Sequence, residues 1–276
     1  MVASERYRTE NSLRVCADFR PGMAACLLVA AGLMGLWTAP LPAHAQVVPS
    51  MGSFMAGSFV GTSGALSASM MQSMRQAADG AAIPRTPSAG SPDDTPPAPR
   101  QHLTFRPSPE VTDAVNRQLT EATTRKNADA GHRLGTLLAS GRLQRTFAEL
   151  LGKFGYSPDN IADVMTAYLI LSWETVHNGD ATRYPRGIQI VHQRVLHALA
   201  ANPEIASISD AEKQKFSETL ADMAMLSTTA RKQLLQSGDT TRLKQLENNV
   251  RQTTLKLGID VAALKLTSKG FVRTSF

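Results

Sequence analysis

The spacing of apolar side chains predicts a series of helices that begins at about residue 108. Ser108-Pro109-Glu110 has the order of a helix start, with a capping residue, a proline at the first helical position and an acid in the first turn. Apolar residues then recur every three or four positions, the period of a helix with one buried face. The sets are Val111, Val115, Leu119 and Ala122; Leu134 and Leu138; and Leu143, Phe147, Leu150 and Phe154.

The fourth predicted helix follows Ser157-Pro158-Asp159-Asn160 and runs to about His177. It is apolar on nearly every side, which is typical of a helix at the centre of a bundle. We therefore expect Trp173 in the core and the neighbouring Glu174 at the helix surface. The segment is too short, and too interrupted by polar residues, to span a membrane.

Three further helices are predicted, and they complete the domain. Ser209 and Glu212 have the spacing of a capping box and open the longest of the three. The connection at 237–240 is short, so the last two helices should be antiparallel neighbours. Alternation typical of a strand occurs only briefly, at Leu264-Lys265-Leu266. The sequence predicts an all-α fold, a single bundle-like domain of about seven helices over residues 108–276.

Two segments of different composition precede this domain. Residues 46–82 are rich in Gly, Ser, Ala and Met, and a short amphipathic helix is possible at 64–79. Because isolated helices of this length are barely stable in water, the sequence favours a helix in a flexible arm over one that docks on the domain. Residues 83–107 are rich in proline and have too few apolar residues to form a core, so they are predicted to be a disordered linker.

The N-terminus has the layout of an export signal. Arginines precede an apolar run of fifteen residues, Met23–Trp37, and prolines follow it. Ala43 and Ala45 then provide the small side chains of a cleavage site before Gln46. Residues 1–45 are therefore predicted to be a signal peptide, which directs the protein to the periplasm or the exterior. The alternative is that Met23–Trp37 is retained as an inner-membrane anchor, although it is shorter than the ~20 residues of a typical span.

Composition narrows the possible chemistry. Both cysteines, Cys16 and Cys26, lie within the predicted signal, so the mature chain would have no disulfide and no thiolate site. The net charge is only +6 and is not concentrated in one stripe, which argues against nucleic-acid binding. The sequence indicates no cofactor and no metal site. His192 and His197 lie five positions apart on one helix, a spacing that does not allow them to chelate one ion.

Glu174 is the one weak candidate for a catalytic residue. A glutamate beside a tryptophan can have a raised pKa and act as a general acid, as in glycoside hydrolysis. A second carboxylate or a substrate groove would be required, and the sequence has no motif that supplies one. No nucleophile elbow, phosphate loop or calcium loop is present in the sequence.

The order of these features resembles a family of exported bacterial all-helical proteins of unknown function, with a signal peptide, a Pro-rich spacer and a helical domain. The resemblance covers roughly residues 103–271, and it is based on three stretches. They are Leu103-Thr104-Phe105-Arg106-Pro107, Phe154-Gly155-Tyr156-Ser157-Pro158-Asp159-Asn160-Ile161-Ala162-Asp163, and Leu257-Gly258-Ile259-Asp260 with Leu266-Thr267 and Gly270-Phe271. The resemblance implies no activity and no catalytic residues.

Two functions remain open on the sequence. The first is a non-catalytic periplasmic or secreted interaction module whose partner is an unknown envelope or secreted protein. The second is a cell-envelope hydrolase that uses Glu174 as general acid. They are distinguished by whether Glu174 lines a cleft with other polar groups. Contact with a membrane is expected only if the apolar segment at 23–37 is retained.

Overall fold

Residues 64–79 and 102–274 are described by a computed structural model of the chain. Within these residues the chain forms one mainly helical domain with eight α-helices and one small two-stranded sheet. The helices are α1 (Gly64–Ala78), α2 (Pro109–Thr124), α3 (Ala128–Ala139), α4 (Arg142–Gly152), α5 (Ile161–His177), α6 (Pro185–Ala200), α7 (Asp210–Ser237) and α8 (Thr240–Lys256). The strands are β1 (Leu264–Thr267) and β2 (Gly270–Arg273). The all-α prediction is confirmed, and α2–α8 are the seven helices predicted from residue 108 onward.

Helix α5 is the centre of the domain. Thirteen of its residues are buried, and it packs most extensively against the long helix α7. The Asn160 side chain caps its first turn by accepting from the backbone N–H of Ala162 at 2.9 Å. Asn178 ends the helix in the left-handed conformation with φ 48°. The uniformly apolar pattern of this segment thus reflects burial on all sides.

Helices α7 and α8 form the predicted antiparallel hairpin. The capping box of Ser209 and Glu212 is present at the start of α7, and Gly238 ends the helix with φ 69°. A second, smaller apolar cluster joins the two helices beyond the main core, and it consists of Ala230, Leu234, Leu246 and Val250. Because α7 contributes to both clusters, it couples the hairpin to the centre of the domain.

The C-terminal segment forms a β-hairpin, of which the sequence indicated only a brief alternation at Leu264-Lys265-Leu266. β1 and β2 pair antiparallel, with Leu266 opposite Phe271, and both of these side chains are buried. The hairpin packs against α6, where the carbonyl oxygen of Thr267 approaches Gly187 so closely that a β-carbon would lie 2.0 Å from it. Gly187 therefore permits a contact between helix and strand that any larger residue would prevent.

One local expectation from the sequence is confirmed except for a single hydrogen bond, and another is wrong. Ser108 occupies the N-cap position of α2, but its hydroxyl does not bond to the helix backbone and donates to the Glu110 carboxylate. Phe154 was expected on the buried face of the third predicted helix, yet α4 ends at Gly152 and Phe154 is 42% exposed. The predicted start of α2 is therefore present without the hydroxyl cap, and the early end of α4 places Phe154 outside the buried face.

Residues directly ahead of Ser108 also pack on the domain. Leu103 and Phe105 are buried, and the Leu103 carbonyl accepts from the N–H of Ile161 at 2.9 Å. This segment, with the isolated bridge between Thr104 and Asn160, ties the chain ahead of α2 to the start of α5. None of the described helices has the length and apolarity needed to cross a bilayer.

Candidate functional site

Glu174, the weak catalytic candidate, is half-buried and already hydrogen-bonded. Its Oε1 accepts from the backbone N–H of Ala181 at 2.7 Å, which fixes the loop between α5 and α6. From α7, Arg231 donates to two acceptors of the same loop, Asn178 Oδ1 at 2.7 Å and the Gly179 carbonyl at 3.2 Å. The expectation that Glu174 lies at the helix surface is therefore wrong, because the loop after α5 folds back over it.

The electrostatic setting of Glu174 has a structural origin. Burial raises the pKa of Glu174, and the hydrogen bond from Ala181 together with the charge of Arg231 opposes that rise. The other carboxylate acting on it belongs to Asp180, whose Oδ1 accepts from the N–H of Thr182 at 3.0 Å. A raised pKa would suit a general acid. However, the groups around Glu174 are engaged in holding the loop.

Trp173 is a core residue, as predicted. It is 7% exposed, and its Nε1 donates to the carbonyl oxygen of Leu264 at 3.0 Å. Its ring stacks on His177 with a centroid distance of 5.2 Å and lies against Gly179. Trp173 therefore joins α5 to the β-hairpin and to the loop that follows α5.

The stretch between α4 and α5 surrounds a buried acid–histidine pair. His192 Nε2 lies 2.6 Å from Asp163 Oδ1, and the N–H of Ser157 donates to Asp163 Oδ2 at 2.8 Å. The Tyr156 ring stacks on His192 with a centroid distance of 4.3 Å. These contacts give the residues from 154 to 163 a structural role, because they hold α6 against the start of α5.

The most distinctive surface of the domain is the site that receives α1. Met70, Met74, Ala77 and Ala78 of α1 are each at most 2% exposed, and α1 packs along α6 and the turn Pro203–Ser207. We call this surface of α6 and the turn the α1 site. The sequence favoured a helix in a flexible arm. In the structure α1 instead packs on the domain, so that expectation is wrong. The apolar surface of the α1 site supplies the burial that an isolated helix of this length lacks.

Polar contacts fix the register of α1 in this site. Ser69 donates through its hydroxyl to the Glu204 carboxylate, and Asn202 Nδ2 donates to the Ser69 carbonyl at 3.4 Å. At the other end Arg273 of β2 pairs with Asp79 at 2.6 Å. The side chain of Arg75 lies against Gly258, where no β-carbon interferes. The α1 site thus combines an apolar contact with polar groups at both ends, as binding sites for amphipathic helices commonly do.

The remaining described surface has a further groove that could bind a ligand. An open groove of about 300 Å³ lies between α2 and α3, and its lining residues include Asp113, Asn116, Arg117 and Glu121. Among residues 64–79 and 102–274, no group of three or more His, Cys, Asp or Glu is arranged to hold a metal ion. The predicted cleavage site at Ala43, Ala45 and Gln46 lies outside the described residues.

Sequence reasoning identified α1 but missed the surface that holds it. The partners of α1 come from α6, from the turn after it and from β2, more than a hundred positions along the chain, so no local pattern connects them. The available signal was the spacing of Met70 and Met74, since methionine-rich faces are adaptable contact surfaces. The pair Asp163 and His192 was likewise not apparent, because the two residues lie 29 positions apart.

Comparison with known proteins gives a family without an assigned activity. A family model described as "Family of unknown function (DUF6683)" matches residues 24–274. No curated protein and no solved structure matches the chain. The match covers most of the sequence, including α1 and every later element of the domain. The chain therefore belongs to this family of unknown function.

Proposed function

We propose that this protein is an exported, non-catalytic interaction module whose helical domain binds amphipathic helices. The observation that carries the proposal is the α1 site, where an apolar helix face formed by Met70 and Met74 is buried against α6. The 22 residues between Asp79 and His102 connect α1 to the rest of the domain. Helix-in-groove binding is a common mode of peptide recognition, and methionine faces adapt to different partners.

The proposal includes competition between α1 and a partner helix. A tethered helix has an effective concentration on the order of millimolar. A free partner helix therefore displaces α1 only if it binds the site more tightly than α1 does or is present at a comparable concentration. The partner would carry small and methionine side chains at the spacing of Met70, Met74 and Ala77. It would also carry a hydroxyl at the position of Ser69 in α1 and an acid at the position of Asp79, which directly follows α1.

Peptide binding in trans tests this proposal. In a chain carrying Met74→Asp, the new charge should displace α1, because an unpaired buried charge is costly. A labelled peptide of residues 64–79 should then bind this chain saturably, as measured by fluorescence anisotropy. The same peptide carrying Met74→Asp should not bind, whereas one carrying Gln72→Asp should, because Gln72 is exposed. A folded Met74→Asp chain that does not bind the unmodified peptide would contradict the proposal.

Export is the second part of the proposal, and it rests on the apolar segment 23–37 and the small residues before Gln46. We expect the protein recovered from the periplasm or the medium of an expressing bacterium to begin at or near Gln46 by mass spectrometry. An intact N-terminus in the membrane fraction would instead favour the anchored alternative.

The hydrolase alternative receives less support. Glu174 Oε1 bonds to the loop N–H of Ala181, and Arg231 binds the same loop, so these groups have structural partners. The groove between α2 and α3 is lined by other residues. The non-catalytic function is therefore the better account of this part of the domain.

A further inference from the structure

A cluster of buried oxygen atoms lies where α2, α4 and α7 meet. Glu218 and Asp222 are four residues apart on α7 and therefore on neighbouring turns of one face. Asp222 is only 1% exposed, and its Oδ1 accepts from Gln144 Nε2 of α4 at 3.2 Å. Glu218 Oε1 accepts from the Thr112 hydroxyl of α2 at 2.8 Å.

Several atoms of this cluster have no hydrogen-bond partner within the described residues, and all of them are oxygens. They are Gln144 Oε1, Glu218 Oε2 and Asp222 Oδ2. Two of the three belong to carboxylates and one to an amide. Because buried polar atoms are nearly always satisfied, a set that consists only of acceptors indicates a missing positive or donating group.

The pKa values of the two carboxylates also favour a positive group at this site. Burial, followed by the nearby Glu218 carboxylate, raises the pKa of Asp222 well above its usual range. Burial also raises the pKa of Glu218, the hydrogen bonds from Gln214 and Thr112 oppose that rise, and Asp159 adds to it. The two carboxylates therefore disfavour each other's ionised form.

We propose that Glu218 and Asp222, together with the amide oxygen of Gln144, bind a hard divalent cation of the Ca²⁺ or Mg²⁺ class. Such cations take oxygen ligands from carboxylates, amides and water. The two ends of the Gln144 amide have the same shape, so a half-turn presents Oε1 to the ion in place of Nε2. The bound cation would link α4 to α7 and would neutralise the buried acids.

The test is a titration of the full-length protein after removal of metals with EDTA. Adding CaCl₂ to about 1 mM, a concentration at which extracellular calcium modules bind, should raise the melting temperature by roughly 2–4 °C. Equilibrium dialysis should give one ion per chain. Asp222→Asn should weaken the ion's affinity at least about tenfold by removing a charged ligand. Glu174→Gln, a change at another half-buried acid, should leave the affinity unchanged.

Three outcomes would overturn the proposal. The first is that neither CaCl₂ nor MgCl₂ changes the melting temperature. The second is that the shift persists unchanged in Asp222→Asn. The third is that only acidification stabilises the wild type, which would mean that the pair holds a proton instead of a metal. Gln144→Met provides an independent check if Asp222→Asn does not fold, since it removes an amide ligand at similar volume and should also weaken the ion's affinity.

Discussion

Replacing Trp173 with alanine is expected to lower the free energy of unfolding by roughly 3–5 kcal/mol, the usual cost of removing a large buried aromatic side chain. The substitution leaves a cavity in the middle of the domain and removes the hydrogen bond from Nε1 to the Leu264 carbonyl. It also removes the ring that stacks on His177. Urea denaturation followed by circular dichroism measures the change.

Trp173→Phe is the matched control for this prediction. It keeps an aromatic ring in the core and loses the Nε1 donor, so its effect should be clearly smaller than that of alanine. A loss below about 1 kcal/mol for Trp173→Ala, in the range of typical surface substitutions, would mean that this residue does not join α5 to the hairpin.

Replacing Asp222 with asparagine is expected to stabilise the metal-free protein at neutral pH by about 1–3 kcal/mol, the usual cost of an unsatisfied buried polar group. The amide is neutral at every pH and offers a donor among acceptor oxygens such as Glu218 Oε2, whereas the carboxyl must either take up a proton or bury a charge when the chain folds. Asp113→Asn is the control, because Asp113 is exposed and should change stability by less than about 0.5 kcal/mol.

The pH dependence of this effect has a definite sign. Because the pKa of Asp222 is raised in the folded state, the native protein retains a proton that the unfolded chain releases. The wild type therefore loses stability as pH rises from the ordinary aspartate range toward the raised pKa of Asp222. The difference in unfolding free energy between Asp222→Asn and the wild type should therefore grow as pH rises from the ordinary aspartate range to the raised pKa. Below that pH range the difference should be small. An asparagine variant that is less stable than the wild type at every pH would contradict this account.

The helices of the domain could be predicted from the sequence because their signals are local. The capping box at Ser209, the glycine at 238 and the apolar α5 each determine structure within a few positions. The β-hairpin was only hinted at, because its strands have four residues each and depend on α6 for burial. The tight contact at Gly187 is a tertiary feature that no local pattern encodes.

The candidate sites could be predicted only in part, for the same reason. The apolar spacing of α1 was visible, but its docking depends on α6, Glu204 and Arg273, which lie far along the chain. Glu174 was identified from its neighbour Trp173, whereas its engagement with the Ala181 N–H depends on how the next loop folds. The oxygen cluster brings together α2, α4 and α7, so it becomes apparent only in three dimensions.

The central claim is that α1 is a separable ligand of the domain, and hydrogen–deuterium exchange of the full-length protein tests it most directly. We predict that the amides of α1 exchange through a local opening whose free energy lies well below that of global unfolding, while those of α5 and α7 remain protected. Adding an excess of the peptide of residues 64–79 should accelerate exchange in α1 without exposing α6. If the amides of α1 exchange only when those of α5 also exchange, through global unfolding, the claim is contradicted.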